Sequence, residues 1–269
     1  MSVTSVARLL QQFNLLTVDR SSSKAEILGR PVFPGTAAEA VSLFLSETPS
    51  TPKLVITPNV DHINRLVLDA QWREVFQTAE ILLTDGKPVE ILLKKLGADN
   101  IHRITGADLL PRVATAARGT GKRIAVVGGR DDVRQQAIAN LTESNGQELD
   151  IVGVSVPFAP GGFDEAAQRI VELQPDIVFV CLSSPKQEQW VEDFREVLPG
   201  AWYIGSGAAV DFAAGEVERA PEWMQNLSLE WVYRLMKEPK RLAYRYVVVG
   251  PLFLGVIASA MAHRQRVGK

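Results

Sequence analysis

Polar residues follow five of the apolar runs in this sequence, and their types could do chemistry. They lie in residues 57–59, 84–88, 128–129, 183–188 and 205–211. If the runs are parallel strands, these groups meet beyond the carboxyl ends of the strands, where such sheets collect ligands. Five strand ends at one rim favour an active site over five unrelated loops. Structural alternatives exist as well, because Asp85 with Gly86 forms a common turn and Asn59 and Ser184 are ordinary helix caps.

Metal sites and familiar nucleophile motifs are not encoded. The histidines His62, His102 and His263 lie far apart, Cys181 has no partner, and no HExxH, paired-cysteine, DxD or GxSxG pattern occurs. We therefore predict no metal and no cofactor. The pair Gly128 and Gly129 lacks the spacing of a dinucleotide site or a P-loop, so a tight turn and a backbone approach to a phosphate both stay open.

The elements that must position these residues alternate between short β-branched runs and longer helical patterns. Strands are predicted at residues 53–57, 80–84, 123–127, 149–154, 176–182 and 201–205, and helices at 60–77, 87–96, 108–118, 131–145, 164–172 and 185–197. The alternation predicts an α/β fold with a mostly parallel, Rossmann-like sheet and flanking helices. Residues 1–50 are less regular, with a loop at residues 21–23.

Charge divides the chain into two regions. Residues 231–269 contain eight Lys and Arg and one acid, Glu238, which gives +7 and leaves −9 for residues 1–230. The same segment holds three of the four tyrosines and an apolar run at residues 246–262. We therefore predict a body at residues 1–230 and a helical, membrane-associating appendage at residues 231–269. The alternative is a helix that packs on the body or on a sister subunit of a homo-oligomer.

Composition limits the remaining classes. A chain of 269 residues with one cysteine and 46% hydrophobic residues excludes a disordered protein and a disulfide scaffold. The net charge of −2 gives no reason to expect a nucleic-acid partner. The apolar run of the appendage is short for a bilayer span, so docking on a membrane is favoured over crossing it. No secretory signal pattern opens the chain, and a cytoplasmic setting is expected.

Several motifs together resemble the WecG/TagA/CpsF glycosyltransferase family, in order over about residues 54–246. They are Thr57-Pro58-Asn59, Asp85-Gly86 with Pro88, Arg103 with Thr105-Gly106 and Asp108-Leu109, Pro185-Lys186-Gln187-Glu188, Asp211-Phe212 with Gly215, Arg219-Ala220-Pro221, and Glu230-Trp231 with Arg234 through Arg245-Tyr246. Two departures are Ser183-Ser184, where the family usually has a glycine before the serine, and Lys87, where an apolar residue is commoner. Lys87 puts the identity of the sugar in doubt more than the reaction.

The resemblance implies an inverting transfer of a sugar from a UDP-sugar donor to a polyprenyl diphosphate-linked acceptor at the inner face of the cytoplasmic membrane, without a bound metal. Such a transfer needs a base, for which Asp85 is our candidate, with a purely structural turn as its alternative. Thr57 and Asn59 are expected to hydrogen-bond the sugar or orient the base. Arg103, Gln187 and Asp211 match family positions associated with the donor pocket.

Three arginines of the appendage complete the expected site. Arg241 and Arg245 are four residues apart and therefore share one helix face. With Arg234 they could close a positive rim over the nucleotide or the lipid diphosphate, because a guanidinium can bind diphosphate oxygens through two hydrogen bonds. The alternative is contact with lipid headgroups alone. A nucleotide-binding regulator or a scaffold of a polysaccharide assembly complex remains an alternative function. The sequence does not identify the donor sugar or the polymer, such as a teichoic acid.

Overall fold

The computed structural model describes residues 15–218 except Arg20 and Phe158, the single residues 221, 224, 233 and 236, and residues 250–267. Elements are numbered along this described part. Its first section is more ordered than the sequence indicates. Strands β1 (Leu16–Asp19), β2 (Lys24–Ile27) and β3 (Arg30–Pro31) form an antiparallel sheet, and residues 21–23 form the expected turn.

Helix α1 (Ala37–Ser46) follows the small sheet and was also missed by the periodicity argument. Thr36 and Glu39 form a capping box at its start, each side chain bonded to the other residue's backbone. A bridge between Val32 and Leu82 joins this section to the main sheet. The described residues from 15 to 46 therefore pack with the main sheet.

Among the described residues, the main sheet has six parallel strands, and all six were predicted. They are β4 (Lys53–Ile56), β5 (Ile81–Leu82), β6 (Arg123–Gly128), β7 (Asp150–Val154), β8 (Ile177–Cys181) and β9 (Trp202–Gly205). Their order across the sheet is β5, β4, β9, β8, β6, β7. Every residue of β8 is buried, as expected for a central strand covered on both faces.

Helices cover both faces of this sheet and give two apolar cores. One face carries α2 (Val60–Leu68), α3 (Ala70–Gln77), α4 (Lys87–Leu96), α7 (Gly162–Leu173) and α8 (Lys186–Asp193). The other carries α1, α5 (Gly106–Ala117), α6 (Asp131–Asn145) and α9 (Ala209–Ala214). The predicted α/β architecture with flanking helices is confirmed.

One predicted helix is interrupted and another ends early, whereas the remaining predicted helices agree with the structure to within two residues. The helix expected over residues 60–77 is divided at Asp69, whose extended backbone ends α2 and whose carboxylate accepts the Trp72 N–H to cap α3. The helix expected over residues 185–197 ends at Asp193. The short helix α9 was not predicted, because six residues are too few for a helical period to stand out.

Helix α10 (Gly250–Val267) contains most of the apolar run of the appendage. Its Phe253 and Val256 are buried in the same core as α2 and α4, and the helix contacts both of them. Of the two alternatives for this run, packing on the body is therefore seen for α10. None of the helices in the described residues has the length and apolar character needed to span a membrane.

Candidate active site

At the carboxyl edge of the main sheet, neighbouring strands connect to helices on opposite faces of the sheet. The segment after β4 leads to α2 on one face, and the segment after the adjacent β9 leads to α9 on the other. Strand β8, next to β9, again leads to the first face through α8. Adjacent strands whose connections leave in opposite directions open a crevice at their carboxyl ends. Four of the five polar groups identified in the sequence are brought together around it by the contacts below.

Asp85 and Asn59 belong to two turns that touch. The Asp85 N–H donates to Pro58 O at 3.0 Å, which fixes the turn after β5 against the turn after β4. Gly86, with φ of +97°, is the N-cap of α4 and provides no side-chain cap. Asp85 is half-buried and therefore reachable at the rim. Asp85 therefore directly precedes the N-cap of α4, at the positive end of that helix.

Asn59 is also the N-cap of α2. Its Oδ1 accepts the Asp61 N–H at 2.9 Å and the His62 N–H at 3.4 Å. Because this oxygen is engaged, Nδ2 is the atom that Asn59 could offer to a ligand. The cap alternative raised by the sequence is correct, and it does not remove the donor group from the site.

Thr57 is buried between β4 and β9. Its hydroxyl donates to Gly205 O at 2.9 Å. The hydroxyl hydrogen is therefore used within the sheet, and a substrate hydroxyl could meet Thr57 only through its oxygen lone pairs. In this position Thr57 is suited to orient a ligand and the neighbouring turn.

Arg103 reaches the same rim through the segment before α5. The Ile104 N–H donates to Thr84 O at 2.8 Å, so Arg103 adjoins the residues that lead into Asp85. A Cβ on Gly106 would lie 2.7 Å from the Ser206 Cα, which shows how closely the start of α5 approaches the loop after β9. The turns after β5 and β9 therefore share one wall.

Gln187 is buried and faces the loop after β9. Its Oε1 accepts the Gly207 N–H at 3.0 Å, and its Nε2 donates to Glu188 Oε1 at 2.8 Å. A Cβ on Gly205 would lie 2.7 Å from Nε2, so only glycine permits this approach. The completely buried Glu188 also faces His62, with 3.7 Å between Oε1 and the His62 Nε2. Sequence reasoning missed both His62 and Glu188 as residues of the site.

Asp211 lies farther along the rim, in the first turn of α9. Its charge acts on Arg130 and Cys181, which places it toward β6 and β8. There the Gly129 N–H donates to Cys181 O at 3.2 Å, and Arg134 Nη1 donates to the carbonyls of Gly128 and Gly129. Because the Gly129 donor is engaged, the geometry favours a tight turn over a phosphate loop.

Lys87, the unusual residue after Gly86, is paired with a buried carboxylate. Its Nζ lies 2.6 Å from Glu90 Oε2, and Lys94 Nζ lies 2.9 Å from Oε1. Burial acts to raise the pKa of Glu90, but the hydrogen bonds from Lys87 and Lys94 outweigh it and hold the pKa below its usual value. The two lysines therefore keep this carboxylate charged under α4.

The remaining predicted residues, Arg234, Arg241 and Arg245, lie outside the described residues. Within the part of the chain that the structure describes, no group of three or more His, Cys, Asp or Glu side chains could hold a metal ion. Glu188 stood in the motif Pro185-Lys186-Gln187-Glu188, but nothing in that motif indicated a contact with His62, whose only signal was its proximity in sequence to Asn59. Their contact joins residues far apart in the chain and depends on the folded sheet.

Comparison with known protein families gives a match over most of the chain. The sequence model described as "Glycosyl transferase WecG/TagA/CpsF family" matches residues 25–267. The matched region includes the main sheet, the predicted site residues and residues 231–267 of the appendage.

Proposed function

This chain belongs to the WecG/TagA/CpsF family of glycosyltransferases, which act in cell-surface polysaccharide synthesis, and from that premise we propose its reaction. The protein moves a hexose or N-acetylhexosamine-type sugar from a UDP-sugar to a polyprenyl diphosphate-linked acceptor, with inversion at the anomeric carbon. The product is a lipid-linked intermediate of a surface polysaccharide or a teichoic acid. N-acetylmannosamine is one donor sugar to include in a test.

In the proposed step, Asp85 takes the proton of the acceptor hydroxyl. The hydroxyl oxygen then bonds to the anomeric carbon as the bond from that carbon to the UDP oxygen breaks, so UDP leaves with the bonding electron pair. A half-buried carboxylate at a strand end is suited to the first role. The departing diphosphate is stabilised by Arg103 and by the backbone donors of helices that begin at the rim.

The observation that carries the proposal is the convergence of Asp85, Asn59, Thr57 and Gln187 on one crevice. The Asp85 N–H bond to Pro58 O, the Thr57 bond to Gly205 O and the Gln187 contact with Gly207 join the ends of four strands, β5, β4, β9 and β8. We assign donor contacts to Asn59, Arg103, Gln187 and Asp211, and orientation to Thr57. No step of this mechanism requires a metal.

We also propose that the protein works as a peripheral protein on the cytoplasmic face of the membrane. Support comes from the +7 charge of residues 231–269, since anionic lipid attracts each nearby Lys or Arg by about 1 kcal/mol. Arg234, Arg241 and Arg245 are assigned to the lipid diphosphate or the nucleotide. A membrane-bound acceptor would thereby reach a catalytic body that stays outside the bilayer.

The direct test is incubation of the full chain with a panel of UDP-sugars and a short-chain polyprenyl diphosphate-linked sugar. We expect the lipid product to gain the mass of one sugar residue with one donor of the panel. The Asp85→Asn protein, prepared in parallel, controls for contaminating transferases. A protein that binds UDP but forms no product with any donor and acceptor would instead support a nucleotide-binding regulator or a scaffold.

A further inference from the structure

A buried polar chain lies directly behind the crevice and connects two of its residues. It runs from Asn59 through His62 and Glu188 to Gln187, and from there to the backbone of Gly207. Asn59 and Gln187 belong to segments that follow different strands, β4 and β8. We propose that Glu188 is a positioning residue, which fixes the Gln187 amide and, with it, the loop after β9.

The orientation of the Gln187 amide explains this role. An amide side chain can turn over and exchange its oxygen and nitrogen positions. Here Gly207 presents an N–H and Glu188 presents carboxylate oxygens, so only one orientation satisfies both neighbours. In the opposite orientation the Gln187 NH2 group would face the Gly207 N–H, and two donors would oppose each other. Glu188 therefore selects the orientation in which Oε1 holds Gly207.

His62 lies between Asn59 and Glu188 in this polar chain. Its Nδ1 lies 2.9 Å from Asn59 Oδ1, and its Nε2 lies 3.7 Å from Glu188 Oε1. The Asn59 N–H donates to His62 Nδ1 at 3.3 Å, so Nδ1 serves as an acceptor and the neutral ring carries its N–H at Nε2, on the Glu188 side. Glu188 Oε2 and His62 Nε2 are both buried and make no hydrogen bond within the described residues. Such buried polar groups are rare in cores, and their position behind the crevice is explained if Glu188 is retained to orient Gln187.

The inference rests on the proposed function only for the statement that Gln187 contacts the donor. A ligand-independent experiment therefore comes first, namely amide hydrogen exchange at Gly207. We compare the wild type with Glu188→Met, which has no strong acceptor at this site, Glu188→Gln, which keeps one, and Gln187→Met. The matched control is Gln189→Met, because Gln189 is on the same helix and bonds to Asp193 on its exposed side at 2.7 Å.

We expect Glu188→Met to lower the protection of the Gly207 N–H by roughly ten-fold, as loss of one hydrogen bond allows. Glu188→Gln should keep most of the protection. In a Gln187→Met background, Glu188→Met should add nothing, because Glu188 acts through Gln187. Gln189→Met should leave Gly207 unchanged. Unchanged protection in Glu188→Met, or equal losses in both backgrounds, would overturn the proposal.

The thermal midpoint of every variant separates positioning from general destabilisation. Replacing a buried carboxylate with an apolar side chain of similar length is often tolerated, so Glu188→Met is expected to fold. If it does not, Glu188→Gln decides, since loss of Gly207 protection in a variant that keeps the acceptor contradicts the proposal. UDP binding by calorimetry is measured last. The hydrogen-exchange results could agree with these expectations while UDP binding is the same in all variants. In that case Glu188 still positions Gln187, and the donor-binding role assigned to Gln187 is wrong.

Discussion

Asp85 combines a reachable carboxylate with a backbone that cannot move easily. Its N–H is bonded to Pro58 O, and the next residue is the N-cap of α4, so the turn is held from both sides. A catalytic group is most effective when its neighbours hold it in the productive geometry. In the structural alternative, the Asp85 carboxylate only accepts backbone N–H bonds within the turn, a role that the side-chain oxygen of an asparagine would largely keep.

The first prediction concerns this carboxylate. Asp85→Asn keeps the shape of the side chain and removes its ability to take a proton, so turnover should fall roughly 100-fold or more. UDP binding should change little, because the proposed role is in the chemical step. Turnover and calorimetric binding are measured together, with Asp193→Asn on the exposed side of α8 as the matched control. Near-normal turnover would remove Asp85 from the mechanism.

Cys181 gives a second prediction at a single residue. It lies at the end of β8, and burial raises the pKa of its thiol to about 12. The thiolate is the reactive form, so the folded protein should react very slowly with Ellman's reagent at pH 8. Reaction should become rapid when denaturant unfolds the chain. Fast labelling of the native protein would show that this end of β8 opens to solvent.

At the scale of elements, the main sheet was predictable because its strands are covered on both faces. The run Ile177 to Cys181 is apolar throughout, which is the pattern of a central parallel strand. The rim followed from the same reasoning, since parallel strands place their carboxyl ends together. For this reason the sequence located the turns that carry Asp85 and Asn59.

Other elements were harder to predict from the sequence, each for a different physical reason. Strands β2 and β3 are only four and two residues long, which is too short for a secure alternation of apolar and polar residues. The capping box of Thr36 and Glu39 was present in the sequence and could have revealed α1. The pair His62 and Glu188 had no comparable signal, because a contact between residues so far apart requires the sheet order.

The third prediction concerns the opposite edge of the sheet, where Asp176 joins three elements. Its carboxylate accepts hydrogen bonds from Thr48, from the Arg123 N–H at 2.9 Å and from Lys122 at 3.0 Å. Burial acts to raise the pKa of Asp176, but these bonds outweigh it and hold the pKa below its usual value. Asp176→Asn should therefore lower the free energy of unfolding at pH 7 by about 1–2 kcal/mol.

The pH dependence of this difference has a definite sign. A carboxylate with a lowered pKa in the folded state stabilises the protein above its unfolded pKa of about 3.9. That contribution is lost as the pH falls through the lower folded pKa. Denaturant unfolding at pH 7, 5 and 3 should thus show the gap between wild type and Asp176→Asn closing only in acid. Asp150→Asn, in a more exposed pair with Arg123, is the control and should change stability by about 0.5 kcal/mol or less.

For the whole molecule, a fourth prediction follows from the proposed mechanism without a metal. Treatment with EDTA, followed by assay in metal-free buffer, should leave most of the transfer activity intact. Charge stabilisation of the departing UDP is assigned instead to Arg103 and helix N-termini. Activity that vanishes with EDTA and returns only with magnesium or manganese would contradict this assignment. A change in the affinity for the UDP-sugar on addition of magnesium, without a requirement for it, would be compatible with this assignment.

The packing of α10 changes how the appendage should be tested. Phe253 and Val256 are buried against the body, so deletion of residues 231–269 would uncover apolar surface on α2 and α4. A truncated protein could then lose activity through destabilisation alone. Substitutions that retain α10 and remove only charge avoid this problem. They also separate membrane attraction from a direct role of the arginines.

The fifth prediction compares two triple variants with equal loss of charge. One changes Arg234, Arg241 and Arg245 to Gln, and the other changes Lys237, Lys240 and Arg266 to Gln. Both should bind anionic phosphatidylglycerol vesicles roughly 100-fold more weakly, because three cations are lost in each. High salt should release the wild type only partly, since screening leaves the apolar share of binding in place.

Turnover on a water-soluble acceptor then distinguishes the arginines from the other cations. If Arg234, Arg241 and Arg245 contact the diphosphate, their triple variant should lose roughly 100-fold or more of this turnover, as expected when charge stabilisation is removed. The control triple variant should keep it, because a soluble acceptor does not require the membrane. Near-normal turnover in both triple variants would mean that the three arginines contact lipid headgroups alone. Unchanged vesicle binding in both variants would refute the electrostatic docking of this appendage.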